Sequence, residues 1–389
     1  MGSAEMEHRR PFRVPVDEAA IADLHRRLDA VRWPEVQPPG AAWQWGTDAD
    51  ALKGLVHHWR ERFEWRAWAD RLNIYRQEMV RLAHGDIHVL IEPGSGRNPL
   101  PLILSHGWPG SVFELIDLVE PLAHPERFGG DAEDGFTIVL PSLPGFCFSP
   151  PPDRLIGPRE TAAMWHALMT DVLGFERYGA HGGDIGSAIT AWLAFDHPEP
   201  LVAIHMNNAV MRAGGTRKAK PLTPEEQAFV ELQLRRLEGE RAYQNVHGEK
   251  PVTIAYAFAD SPVALAAWVL EKMHGWTTPA APGLPPLDID HMLADISAYW
   301  FGHCSPASWM YQALLDGSGY ALPPGSRISV PSGFCLFPND IASPPPRVWL
   351  ERTFAVAHMA VHETGGHFPG IEQPALLTDD IRGFFRAYR

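Results

Sequence analysis

The amino-acid sequence predicts an α/β fold with a mostly parallel central sheet, and three observations support this prediction. Short apolar segments of strand character recur along the 389 residues, helical patterns lie between several of them, and one long helical stretch interrupts the alternation. Short, nearly all-apolar strands that alternate with helices are typical of a parallel sheet covered by helices. With 45% hydrophobic residues, the chain can also bury a core of the required size.

The N-terminal region, residues 1–85, is predicted to be a helical meander. Residues 16–31 and 51–68 carry apolar side chains at helical spacing, and Pro34 follows the first of these segments. Six of the 14 tryptophans lie between residues 33 and 68. We interpret them mainly as packing contacts between this meander and the rest of the protein.

The sheet is predicted to come from two parts of the chain, residues 86–210 and 326–389. Helical patterns at residues 161–173 and 187–194 separate several of its strands. The predicted strands are residues 87–91, 101–105, 137–140, 177–181, 201–205, 327–331 and 356–361.

A helical cap is predicted over residues 211–325, between the two parts of the sheet. A proline-rich loop at residues 277–287 divides this region. Because open α/β sheets bind ligands at the carboxyl ends of their strands, a helical insertion here most economically covers that edge. The predicted cap helices are residues 224–239, 262–273, 289–300 and 308–315.

Composition restricts the partners and the compartment. The chain has 33 Lys and Arg against 47 Asp and Glu, a formal net charge of -14, which argues against nucleic acid as a partner. Three distant cysteines (Cys147, Cys304 and Cys335) predict neither a disulfide framework nor a zinc site. Without an apolar signal segment or a transmembrane anchor, we expect a soluble, cytoplasmic protein. The sequence leaves a homo-oligomer open.

The most informative motif is YGAHGGDIGS, residues 178–187. A strand enters a tight turn and a helix leaves it, and Gly182 and Gly186 flank Asp184 at positions minus two and plus two. This is the spacing of a nucleophile elbow. A carboxylate at the apex can open a strained ring or displace a halide at saturated carbon, forming an ester with the enzyme. The alternative is that Asp184 only caps the helix.

Two further residues suit hydrolysis of such an ester. His367 lies in the glycine-rich loop TGGHFPG after the last predicted strand, and Asp340 follows the penultimate strand, 27 residues earlier. The order of nucleophile, acid and base is that of α/β-hydrolases. His362 and Glu363 do not form a zincin motif with His367, because that motif needs His-Glu-x-x-His on one helix.

A third motif, HGWPG at residues 106–110, ends the strand at residues 101–105. A loop at this point can direct the backbone N–H of Trp108 at the ester oxygen, with the N–H of Ile185 as second donor. Together they would form an oxyanion hole for the hydrolytic step.

Several longer segments, from about Pro11 to Phe385, carry a resemblance to a known family. They are PFRVPVDEAAIADLHRRLDAVRWP, GLVHHWRERFEWRAWADRLN, HGWPGSVFELIDL, PSLPGFCFSPPP, GGDIGS, DSPVALAAWVLEK, YW at residues 299–300, and GGHFPGIEQP. In this order they resemble the epoxide hydrolases of the microsomal and juvenile-hormone type, within the α/β-hydrolase superfamily.

The resemblance implies an α/β-hydrolase fold with a helical cap and an N-terminal meander. It also implies hydrolysis of small hydrophobic epoxides by water to vicinal diols, with no cofactor and no metal. Two departures from the family are Ile185, where Trp is common, and Asp340, where Glu is more frequent. The implied roles are nucleophile for Asp184, base for His367, acid for Asp340, and hydrogen-bond donors to the epoxide oxygen for Tyr243 and Tyr311.

Two other functions stay open at this point. A haloalkane dehalogenase also uses an Asp nucleophile, but usually has Trp directly after it, where this chain has Ile185. A hydrolase-like binding protein would keep the pocket without turnover, but would have no need of Asp184, Asp340 and His367 together.

Overall fold

A nine-stranded sheet forms the centre of the protein in the computed structural model, which describes residues 9–35, 42–214, 221–279, 283–303, 309–315 and 318–389. Its strands follow the order β1-β2-β3-β5-β4-β6-β7-β10-β11. The strands are β1 (Arg9–Pro11), β2 (Arg76–Leu82), β3 (Gly85–Glu92), β4 (Leu100–Ser105), β5 (Phe136–Pro141), β6 (Tyr178–Gly182), β7 (Leu201–Met206), β10 (Pro331–Leu336) and β11 (Ala355–Val361); β8 (Arg212–Gly214) and β9 (Ala321–Pro324) form a separate pair. From β5 to β11 all neighbours in the large sheet are parallel.

Helices pack along this sheet in two pairs. The helix α4 (Ile116–Ala123) contacts the C-terminal helix α15 (Pro374–Phe385), and α5 (Pro158–Ala167) contacts α6 (Ile185–Asp196). All residues from Ile185 to Ala194 of α6 are buried. A helix that is apolar on every side belongs in the core, and α6 starts directly at the predicted elbow.

In its described residues, the N-terminal region forms three α-helices and contributes two strands to the sheet. Its helices are α1 (Glu18–Asp29), α2 (Ala49–Glu61) and α3 (Trp65–Asn73). The single helix expected over residues 51–68 is therefore two helices, and the break lets Phe63 and Trp65 both reach the core. The domain boundary expected at residue 85 falls at the first residue of β3, which pairs with the antiparallel strand β2.

Four of the six tryptophans of the N-terminal region contact cap residues, as the packing interpretation requires; they are Trp43, Trp59, Trp65 and Trp68. The indole N–H of Trp59 donates to Ser297 at 3.0 Å, and the ring of Trp43 stacks on His274 with 3.7 Å between ring centroids. Trp45, in contrast, is exposed.

Between β8 and β9, the described residues form helices only. They are α7 (Pro224–Arg236), α8 (Ala242–Glu249), α9 (Pro251–Asp260), α10 (Pro262–Gly275), α11 (Ile289–Phe301) and α12 (Trp309–Leu314); beyond β9 follow α13 (Arg347–Leu350) and α14 (Pro369–Glu372). Helices α8 and α9 were not predicted. Ser308, at the start of one predicted helix, and Cys304 lie outside the described residues.

One predicted strand is wrong. Residues 327–330 precede β10, which begins at Pro331. Ile328 and Val330 are buried, so their apolar pattern reflects burial in a connecting segment. The backbone of Ile328 forms hydrogen bonds with Thr353 and Ala355, just before the pairing of β10 with β11 begins.

Among the described residues, no single helix is long and apolar enough to cross a membrane. Helices α9 and α10 reach that length and composition only when counted together, and their axes differ by 117°.

Candidate active site

Asp184 stands at the sharp turn between β6 and α6, with φ of 50° and ψ of -125°. A positive φ is uncommon for a residue with a side chain, and the surrounding structure must hold it. A Cβ atom on Gly182 would lie 2.2 Å from the Gly186 carbonyl oxygen, and one on Gly186 would lie 2.1 Å from that of Ser105. The two glycines are therefore a steric requirement of the elbow. The side chain of Asp184 does not cap α6, so the helix-capping alternative is wrong.

The HGWPG loop lies directly against this aspartate. The backbone N–H of Trp108 donates to Asp184 Oδ1 at 2.9 Å, as the motif predicted. A Cβ atom on Gly107 would lie 2.3 Å from the Asp184 Cβ, so only glycine permits the approach. Ile185 is the first residue of α6, and its N–H stays a prediction as second donor.

His106 holds this loop in place. Its Nδ1 lies 3.0 Å from the Gly107 carbonyl oxygen, and its Nε2 accepts from the Leu143 N–H at 3.1 Å. Burial lowers the pKa of His106 to about 4, which keeps the ring neutral and its Nε2 able to accept.

His367 lies between the two predicted carboxylates. Its Nδ1 is 2.7 Å from Asp340 Oδ1, and its Nε2 is 3.5 Å from Asp184 Oδ2. The backbone N–H of His367 donates to the Trp276 carbonyl oxygen at 2.7 Å, and this hydrogen bond holds the loop that carries His367. The short Asp340 side chain therefore reaches the imidazole, where the family more often has Glu.

The two carboxylates decide the charge of this histidine. Burial alone would lower the pKa of His367, but Asp340 and Asp184 together raise it well above its ordinary value. The raised pKa favours the imidazolium form of His367 in the resting site.

Tyr243 and Tyr311 come from the contacting cap helices α8 and α12 and are both buried. The two rings lie 5.6 Å apart between centroids, and the Gln244 side-chain amide donates to the Tyr243 hydroxyl oxygen at 3.1 Å. Burial raises the pKa of both tyrosines above the ordinary value, and the Asp184 charge adds to this. Both hydroxyls therefore stay protonated and can donate a hydrogen bond.

These groups share a cavity of about 560 Å³. Asp184, His367, Tyr243 and Tyr311 all line it, and most of the remaining wall is apolar. Its apolar lining includes Val210, Met211, Phe229, Leu234, Leu237, Leu314, Leu315 and Trp349. An apolar cavity with a few convergent polar groups suits a small hydrophobic ligand.

Sequence reasoning missed a third tyrosine of the cavity, Tyr320, which immediately precedes β9. Burial and the charge of Asp184 raise its pKa well above the ordinary value, so it is a protonated hydroxyl as well. Apart from its residue type, the sequence carries no signal for its position.

It also missed a buried pair of carboxyl groups, Glu114 and Asp295, beside the site. Burial and the neighbouring Asp295 raise the pKa of Glu114 to about 8, and burial raises that of Asp295 to about 7. The Ser111 hydroxyl donates to Asp295. Glu114 directly follows the segment HGWPGSVF, a signal that could have drawn attention to it.

Glu114 should make the protein less stable as the pH rises. The unfolded chain ionises this group near its ordinary pKa of 4.5, whereas the folded protein keeps it protonated up to about 8. Folding stability is therefore lost across that window, by up to about 1.4 kcal/mol per pH unit. We expect Glu114→Gln to flatten the decline in free energy of unfolding between pH 5 and pH 8, measured by urea denaturation. The exposed Glu225→Gln is the control, and parallel pH profiles for Glu114→Gln and wild type would contradict the assignment.

Comparison with known proteins agrees with this geometry. Residues 9–115 match the family model described as "Epoxide hydrolase N terminus", and residues 101–256 match "alpha/beta hydrolase fold". A putative epoxide hydrolase of Stigmatella aurantiaca is 37% identical over 382 residues, covering 97% of this chain and 85% of the relative. Epoxide hydrolase 1 of Oryctolagus cuniculus is 30% identical over 415 residues, covering 98% and 89%.

Solved structures extend the similarity to the whole fold. The Aspergillus niger epoxide hydrolase superposes with a TM-score of 0.83 at 28% identity, covering 98% of this chain and 96% of that chain. The juvenile hormone epoxide hydrolase of Bombyx mori shares the fold, with a TM-score of 0.85 at 22% identity and coverage of 100% and 97%. The chain therefore belongs to the epoxide hydrolase family and has the α/β-hydrolase fold.

Proposed function

We propose that this epoxide hydrolase works through a covalent ester on Asp184. One observation supports this proposal above all. The Asp184 carboxylate lies between the Trp108 N–H and the His367–Asp340 pair, in a cavity that two buried tyrosines also line. A neutral, hydrophobic epoxide matches the apolar wall, and water is the second substrate.

Ring opening is the first step. A carboxylate oxygen of Asp184 attacks one ring carbon, a new C–O ester bond forms, and the C–O bond of the strained ring breaks. The departing alkoxide is a strong base, and a hydroxyl of Tyr243 or Tyr311 supplies its proton. The Tyr243 oxygen accepts from the Gln244 amide, which leaves its own O–H available to the epoxide oxygen.

The imidazolium of His367 closes the proton balance of this step. Its proton replaces the one that the tyrosine has given to the alkoxide. Esterification also removes the negative charge of Asp184, which is one of the two charges that raise the pKa of His367. We therefore expect ring opening itself to convert His367 into a neutral base.

Hydrolysis is the second step. His367 takes a proton from water, and the hydroxide attacks the carbonyl carbon of the Asp184 ester while Asp340 stabilises the imidazolium. The Trp108 N–H, at 2.9 Å from Asp184 Oδ1, would stabilise the oxyanion, with Ile185 as predicted second donor. The acyl C–O bond then breaks, and the departing alkoxide takes the proton of the newly formed Asp184 carboxyl group and leaves as a vicinal diol. This restores the Asp184 carboxylate and the His367 imidazolium.

Removing a tyrosine hydroxyl should slow ring opening. We expect Tyr243→Phe and Tyr311→Phe each to lower the single-turnover rate of ester formation with styrene oxide by about 100-fold, as loss of one oxyanion donor does. Stopped-flow tryptophan fluorescence measures this rate separately from ester hydrolysis.

The exposed cap residue Tyr256 offers a matched control, since Tyr256→Phe should leave the rate unchanged. An unchanged rate of ester formation in both cavity variants would overturn the role of the tyrosines. Halide release from a haloalkane of similar size, faster than diol formation from the epoxide, would overturn the proposed substrate class.

A further inference from the structure

Lys272 is a buried cation that lies over the ring of Tyr243. It belongs to α10 and is only 5% exposed. Its Nζ is 4.8 Å from the centroid of the Tyr243 ring and 5.7 Å from that of Trp276. Both distances are within the range in which an ammonium is attracted to the face of an aromatic ring.

The Lys272 ammonium group forms ion pairs with two carboxylates. The Lys272 Nζ lies 2.6 Å from Glu271 Oε2 and 3.7 Å from Glu240 Oε2. Glu240 also accepts from the indole N–H of Trp276 at 3.3 Å. A buried charge is expensive to desolvate even when it is paired, and an apolar side chain of similar size often stabilises a fold at least as well. Packing and stability alone therefore do not account for a cation at this position.

The charge is well placed to act on the chemistry of Tyr243. When the Tyr243 proton moves towards the epoxide oxygen, negative charge develops on the phenol oxygen and spreads into the ring. A cation over the ring face attracts this charge more strongly than it attracts the neutral phenol. The Glu240 carboxylate beside Lys272 raises the pKa of Tyr243 and acts in the opposite direction, so the Lys272 charge also offsets Glu240. An interaction that strengthens in the transition state lowers the barrier of that step.

We infer that Lys272 is a positioning residue for ring opening, one that makes Tyr243 a stronger proton donor. The inference rests on the proposed role of Tyr243 in donating to the epoxide oxygen. It concerns ester formation alone, because in the proposed mechanism water and His367, and not Tyr243, carry out the hydrolysis of the ester.

The test compares Lys272→Met with wild type in single-turnover reactions with styrene oxide. Removing the charge should slow ester formation by about 10-fold, because only part of a desolvated cation–π interaction is gained as charge develops on the ring, and should leave the rate of ester hydrolysis unchanged. Lys272→Arg keeps the charge and should restore most of the rate. Circular dichroism and binding of the diol product verify that each variant is folded with an intact cavity.

The same substitution in a Tyr243→Phe background separates electrostatics from packing, because phenylalanine keeps the ring and loses only the hydroxyl. Lys272→Met should then have no further effect on ester formation. An equal loss in both backgrounds would show a structural role and overturn the inference. If Tyr243→Phe alone leaves the rate unchanged, the proposed role of Tyr243 fails. If Tyr243→Phe is slow and Lys272→Met is not, only the inference about Lys272 fails.

If Lys272→Met does not fold, a second variant still tests whether the Lys272 charge speeds ester formation. Glu271→Gln retains the ammonium group and removes its closest counter-charge. Ester formation in this variant should be as fast as in wild type or faster. A slower rate in the folded variant would contradict the inference.

Discussion

Replacement of His367 by Gln is expected to stop turnover after ring opening and to leave the substrate bound to Asp184. In this variant ester formation keeps the Asp184 carboxylate and the tyrosine donors, and solvent replaces His367 in returning a proton to the tyrosine. Ester hydrolysis instead needs a base for water, which Gln cannot supply. After incubation with styrene oxide, the intact protein should gain the mass of one epoxide. Fragmentation should place that mass on the peptide that contains Asp184.

His362→Gln is the matched control for this experiment. His362 lies five residues earlier on the same segment and contacts Cys335 at 3.2 Å, away from Asp184. This variant should turn over normally and accumulate no adduct. A folded His367→Gln variant that binds substrate without forming an adduct would exclude the covalent mechanism.

Replacement of Asp184 by Ala should lower kcat by about four orders of magnitude or more, since loss of a nucleophile removes the whole chemical route. Binding of the diol product should persist, because the apolar wall of the cavity is unchanged. Diol formation by gas chromatography and product binding by calorimetry test the two expectations. The exposed Asp70→Ala should behave as wild type.

Isotope labelling sharpens this second prediction. A single turnover of wild type in ¹⁸O-water should place the heavy oxygen in the Asp184 side chain, because water attacks the carbonyl carbon of the Asp184 ester and not a carbon of the substrate. Label found only in the diol, or turnover by Asp184→Ala near the wild-type rate, would show that water opens the ring directly.

The elbow could be read from the sequence because its constraint is local. Gly182 and Gly186 each lie within two residues of Asp184, so their spacing is visible in the sequence. A side chain at position 182 would meet Gly186 of the same turn, whereas one at position 186 would meet Ser105 of the neighbouring strand β4. The HGWPG and GGHFPG loops were also recognisable, because each follows an apolar strand and contains glycines. The structure brings Trp108 and His367 to Asp184 as expected.

Other elements could not be predicted because long-range contacts decide them. Strand β2 contains buried polar residues, among them Gln77 and Glu78, so its sequence lacks the apolar pattern by which a buried strand is recognised. Glu78 is tolerated there because Arg9, 69 residues away, pairs with it at 2.7 Å. Helix α8, which carries Tyr243, has too few buried positions to produce a strong helical pattern.

By itself, the sequence determined the class of chemistry, because the identity of the residue at the elbow and the glycines around it are short-range properties. Only the tertiary structure decided which side chains surround Asp184 and how their pKa values are shifted. The elevated pKa of His367 depends on carboxylates from two distant loops, and that of Glu114 on burial. The Lys272 charge reaches Tyr243 only because α10 packs beside the active-site cavity. Burial and distance set these properties, and neither can be read from local residue spacing.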